Sequence, residues 1–183
     1  MTEPRPEPEP EPGVRRLCVA LAADAPGLLA TARRSGRLDR LYVSTDGRGG
    51  IEVGVAPPGV DELGLMRDLV GVLRREVSRR RHDLSRPVLL VLHVGIIRAV
   101  DGGLGGAGTG RSRELARDRE IRAAADGAGG PGGLTLIVSE ALYADLRAEG
   151  LSGLGWQLIA SAGAWIRSFG PASDSRTDRD GDF

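Results

Sequence analysis

The chain contains no lysine; all 25 of its basic residues are arginine. Any chemistry that needs a lysine amine is therefore excluded. It contains one cysteine, Cys18, which rules out an internal disulfide and a thiolate metal cluster. Its place in the apolar run LCVAL marks a buried, inert thiol. No apolar run approaches the length of a membrane span. The acidic, proline-rich start has no apolar core of the kind a signal peptide needs. The formal net charge is zero, so no global field draws nucleic acid or an acidic membrane. The expectation is a soluble, cytoplasmic protein with neither nucleic acid nor membrane as partner. Its 183 residues suit one domain with a proper core.

What is present divides into two polar ends and a patterned middle. Residues 1–13 alternate proline with glutamate, which favours an extended polyproline II chain and buries nothing. They read as a solvated tail or as a docking peptide for a partner. Residues 171–183 form a second polar tail, leaving 14–170 as the folded domain.

The longest apolar run, Pro87 to Val100, is rich in β-branched residues. It predicts a central strand buried on both faces. The glycine-rich stretch DGGLGGAGTG after it predicts a loop, and 111–125 predict a helix, a geometry often used for phosphate. Upstream, Leu17 to Ala23 predicts a strand, followed by a helix capped by Asp24 that runs to about Arg34. Strands at 38–45 and 51–56 predict a hairpin. The best helix spans Val60 to His82, with Leu63, Met66, Leu69, Val70, Leu73 and Val77 on one stripe. Its C-terminal arginines read as a solvated face, because no aromatic residue is interleaved. A strand at LTLIV, a short helix capped by Ser139 and two closing strands complete the chain. The early β-α-β-β-α-β order predicts an α+β fold. Its core would be ferredoxin-like, with a mainly antiparallel sheet, helices on one face and a C-terminal β-hairpin.

Other constellations carry little chemistry. His82 and His93 lie far apart in the pattern and read as structural. There is no GxSxG elbow, and the run from Gly102 to Gly110 is neither a Walker loop nor GxGxxG with a usable acidic partner. Trp156 and Trp165 read as core and edge anchors.

Five blocks in register resemble the class III nucleotide cyclase homology domain, in a degenerate bacterial form. They are CVALAADAPGL, STDGRGGIEVGVAPP, LLVLHVGIIRA, GLGGAGTGRSREL and LTLIVSEALYADL, and together with the closing hairpin they cover roughly Leu17 to Phe169. The resemblance implies an enzyme that cyclises ATP or GTP with two metal ions held by two aspartates, its catalytic sites formed between two chains. It puts Asp24 at the first metal-ligand position. It puts the second on Gly49 or Gly50, with Asp46 nearby but out of register. The ribose-orienting asparagine falls on Gly110, the transition-state arginine on Glu114, and the base-selecting lysine near Thr45. About 25 residues separate Asp24 from the second metal position, where the family has a longer insertion.

Losing a metal ligand and reversing the charge at the phosphate together remove many orders of magnitude in rate. The sequence therefore implies a catalytically silent, cyclase-like signalling domain that binds a protein partner or senses a nucleotide. The partner would be unknown, the chain itself, or another cyclase-like chain. A nucleotide would touch Gly103, Gly105, Gly106, Gly108 and Gly110, with Asp24 a vestigial metal position. Magnesium or manganese would be needed only under the alternative, an atypical nucleotidyl-transfer enzyme using Asp24 and Asp46. A scaffold working through its tails is the remaining reading.

Overall fold

The computed structural model describes residues 13–34, 38–46, 50–100, 103–151 and 153–170. Residues 1–12 and 171–183 lie outside them. Eight strands are β1 (Val14–Ala22), β2 (Tyr42–Asp46), β3 (Ile51–Val55), β4 (Val88–Val100), β5 (Gly103–Gly105), β6 (Leu134–Ser139), β7 (Gln157–Ile159) and β8 (Ala164–Phe169). Five α-helices are α1 (Leu28–Arg33), α2 (Glu62–Arg79), α3 (Ala107–Arg117), α4 (Arg119–Gly129) and α5 (Glu140–Ala148). The chain is α+β. Seven strands lie in the order β2-β3-β1-β4-β6-β8-β7, and β5 pairs with β4 off that path. Every pairing is antiparallel except β4 with β6.

The longest ladder joins β1 to β4, from Val14 opposite Ile97 to Ala22 opposite Leu89. Alternation along these strands sends side chains to both sheet faces. Leu17, Val19, Leu21, Leu90 and Leu92 join α1, α2 and α5 in the larger core. Ala20, Ala22, Leu89 and Val91 join α3 and α4 in a second core on the other face. Helices thus cover both faces rather than the single face expected. The additional layer is α3 and α4, whose small residues Ala116 and Ala125 and larger Leu115 and Ile121 are fully buried.

Several boundaries differ for local reasons. Asp61 accepts a hydrogen bond from the Gly64 N–H at 3.0 Å and starts α2, which ends at Arg79 before a 3₁₀ turn over Arg81–Asp83. The expected single helix over 111–125 is two. Asp118 leaves helical geometry and its carboxylate caps α4, accepting from the Glu120 and Ile121 amides at 2.9 and 3.0 Å. The strand at Pro87–Val100 is buried on both faces only as far as Leu92; Ile96 is half exposed.

The helix after β1 is not capped by Asp24. It begins at Leu28 behind Gly27, and Glu52 reaches across from β3 to cap it. Ser139 stands at the start of α5 without a side-chain capping bond. The aromatic anchors behave as expected. Tyr143 stacks on Trp165 at 4.1 Å between ring centroids and meets Trp156 edge-on at 5.4 Å. One aromatic ring does reach the arginine-rich end of α2, since Phe169 lies 4.8 Å from the Arg74 guanidinium and 5.2 Å from that of Arg167.

Candidate functional site

Asp24 follows β1, where the chain leaves the sheet, and its side chain is exposed. Ile51, the first residue of β3, pairs with Ala22, so Gly50 lies beside this exit. Gly50 has φ +64°, and a Cβ built on it would lie 3.5 Å from the Ala23 carbonyl oxygen. Two segments that sequence reasoning paired at a distance are thus adjacent. Gly49 lies outside the described residues.

Asp46 is elsewhere. It pairs with Ile51 from β2, the edge strand, two strands from β1 and roughly 10 Å away across the sheet.

A small cavity of about 100 Å³ opens at this exit. Asp24, Gly50, Arg86, Arg122 and Asp126 line it, with Pro87 and Leu89 as apolar wall. The Ser85 hydroxyl donates to Asp24 Oδ2. Arg86 Nη2 donates to Asp126 Oδ2 at 2.6 Å, and Arg122 Nε donates to the Ala116 carbonyl at 2.9 Å. Sequence reasoning missed Ser85, Arg86, Arg122 and Asp126. Asp126 is 40 residues from Arg86, and no motif links them.

Magnesium and manganese take several oxygen ligands around one centre. Asp24 offers a carboxylate already bonded to Ser85, Asp126 offers one already bonded to Arg86, Gly50 offers no side-chain donor, and Arg86 and Arg122 bring positive charge into the same cavity. Among the described residues no group of three or more His, Cys, Asp or Glu side chains could hold a metal. The donor set does not fit a divalent cation.

From Gly103 on the glycine stretch is not a loop, and its start lies at the other end of the sheet. Gly103 and Gly105 belong to β5, opposite Val100 and Arg98. Gly106, with φ +129°, stands at the start of α3, and Gly108 and Gly110 lie within that helix. Leu89 pairs with Ala22 while Arg98 pairs with Gly105, so about 30 Å of β4 separates the Asp24 end from this one.

Gly108 has a packing role. A Cβ there would lie 2.7 Å from Cys18 Sγ and 3.0 Å from the Gly95 carbonyl carbon, so only glycine lets α3 come this close to β1 and β4. Around Gly110 a Cβ would meet nothing within 4 Å.

The seam between α3 and the sheet holds the remaining candidates. His93 lies opposite Cys18, and its Nδ1 is 2.9 Å from Ser139 Oγ on β6. Burial, then the positive charges of Arg111 and Arg15, push the His93 imidazole below its ordinary 6.5 and favour the neutral ring. Cys18 is fully buried, and burial pushes its thiol up to about 11, which makes it inert as expected.

Glu114 points outward and pairs with Arg111 at 3.2 Å; the other Arg111 amine holds the Ala162 carbonyl at 2.5 Å. Arg111 is thereby tied to a carboxylate and to the 3₁₀ turn Ala160–Ala162 between β7 and β8.

No family model matches the chain, and no curated protein matches it. Among solved structures it is similar to that of an adenylate/guanylate cyclase/hydrolase from Silicibacter pomeroyi. The two are 17% identical over 85% of this chain and 98% of that chain, with a TM-score of 0.46. A likeness of this degree leaves the site to be read from this chain's own geometry. No helix among the described residues is long and apolar enough to cross a membrane.

Proposed function

We propose that this chain is a catalytically silent, cyclase-like domain that serves as a cytoplasmic binding or regulatory module in signalling. The ferredoxin-like reading of its core draws support from the order β2-β3-β1-β4, with α1 and α2 on the same face. The observation that carries the proposal is Gly50, which lies in register beside the Asp24 exit yet has no carboxylate to give a metal. Glu114 adds to it, since a carboxylate paired with Arg111 stands at the position the resemblance gives to a phosphate-stabilising arginine. The separation of Asp24 from the β5 glycines, Gly103 and Gly105, along β4 accords with a family whose sites form between two chains. The partner is accordingly this chain, a cyclase-like chain or another signalling protein, and a nucleotide is the small ligand to test.

Purified protein incubated with ATP or GTP and manganese is expected to yield no cyclic nucleotide. Cyclic AMP or GMP above the buffer blank would sink the proposal. Calorimetric titration with ATP and GTP then separates a nucleotide sensor, which gives heat with a micromolar midpoint, from a protein-interaction module, which gives none.

A further inference from the structure

The tripeptide Ser85-Arg86-Pro87, immediately before the central strand, ties together parts of the chain that are remote in sequence. Ser85 binds Asp24 at the end of β1, Arg86 binds Asp126 on α4, and Pro87 walls the cavity between them. The cavity therefore has two cations of its own, Arg86, which bonds a cavity carboxylate, and Arg122, whose Nε donates to the Ala116 carbonyl. The Arg86 guanidinium sits with both carboxylates around about 100 Å³, room for roughly three water molecules. Asp24 also adds to the negative field that favours the Arg86 charge, after the larger effect of Asp126.

We infer that the Arg86 guanidinium occupies the place of the divalent cation that the class III resemblance assigns to Asp24. The inference rests on the cyclase-like reading above for what the position once held, and on the cavity's own side chains for what holds it now. A divalent ion here would meet a like charge at close range, and its second carboxylate, Asp126, is already bonded to that charge. Removing the Arg86 guanidinium frees Asp126 to join Asp24, which keeps its Ser85 hydrogen bond, as carboxylates of the same cavity, with Arg122 as its remaining cation. The protein is metal-independent at this site because an arginine neutralises its carboxylates, and not only because a ligand is missing at Gly50.

The test is titration with manganese alone, followed by the electron paramagnetic resonance signal of the free ion. The full chain, Arg86→Ala and the double variant Arg86→Ala/Asp24→Ala are compared. Arg86→Ala is expected to bind one equivalent at least tenfold more tightly than the unaltered protein, and the double variant is expected to lose that gain. Equal affinity in the first two proteins overturns the inference, whether both bind or neither does, and so does a gain that survives loss of Asp24. Circular dichroism and a thermal melt verify folding. Should the alanine variant fail to fold, Arg86→Gln removes the charge while keeping most of the side chain, under the same criteria. The readout is separate from catalysis. Cyclic nucleotide formation would defeat the silent-domain proposal, whereas only the manganese comparison decides the role of Arg86.

Discussion

Glu52 accepts the backbone N–H of Ala30 at 3.1 Å and that of Leu29 at 3.3 Å, so a residue in β3 caps a helix that precedes it by more than 20 positions. Glu52 is 5% exposed, and its carboxylate lies at the positive end of α1. A hairpin and a helix that local sequence treats as separate are joined by these two bonds.

Glu52→Ala leaves both amides without their acceptor in a buried setting. Stability is expected to fall by about 1–3 kcal/mol. Urea unfolding followed by circular dichroism checks this, as a lower midpoint at an unchanged slope. An unmoved midpoint would mean that water or a neighbouring group caps α1 equally well.

The two α3 glycines are expected to respond in opposite directions. Gly108→Ala forces a methyl against Cys18 Sγ and the Gly95 backbone and should cost about 1–3 kcal/mol. Gly110→Ala meets open space inside a helix, so it should add about 0.5–1 kcal/mol. Both are read from thermal melts of the single variants. A gain at position 108 would contradict the close approach of α3 to the sheet.

His93 gives the stability curve a pH dependence of known sign. Its folded-state pKa lies below the ordinary 6.5, so the unfolded chain binds the proton more readily. Its contribution is present in full above pH 6.5 and is lost as the pH falls through 6.5 toward the folded value. The imidazole should titrate below 6.5 by NMR, and His93→Gln should flatten the fall in melting temperature between pH 7 and 5. A midpoint above 6.5 would show that His93 is not held neutral between β4 and α3.

Much of this architecture follows from local pattern. The continuous apolar runs Leu17–Ala22 and Val88–Leu92 require strands buried on two sides, and Ile51–Val55 requires the hairpin partner. The stripe through Met66, Leu69, Leu73 and Val77 specifies α2 and its buried face. Cys18 is buried because it sits inside such a run. These elements are legible because period and residue type are properties of a short window.

What the window does not contain was decided by packing. Glycines at 103–110 have low intrinsic preference for strand or helix and read as a loop. Pairing with β4 and the Gly95–Gly108 contact make them β5 and the first turns of α3 instead. Asp24 has the right chemistry for a helix cap and for a metal ligand. The tertiary fold gives the cap to Glu52 and sets Ser85 and an arginine-bearing cavity beside Asp24. The sequence by itself determined the central strands β1, β3 and β4 and the helix α2, whose patterns lie within short windows. Tertiary structure alone decided which charges meet, because Arg86 with Asp126 and Glu52 with Ala30 are brought together by chain crossings that no local pattern records.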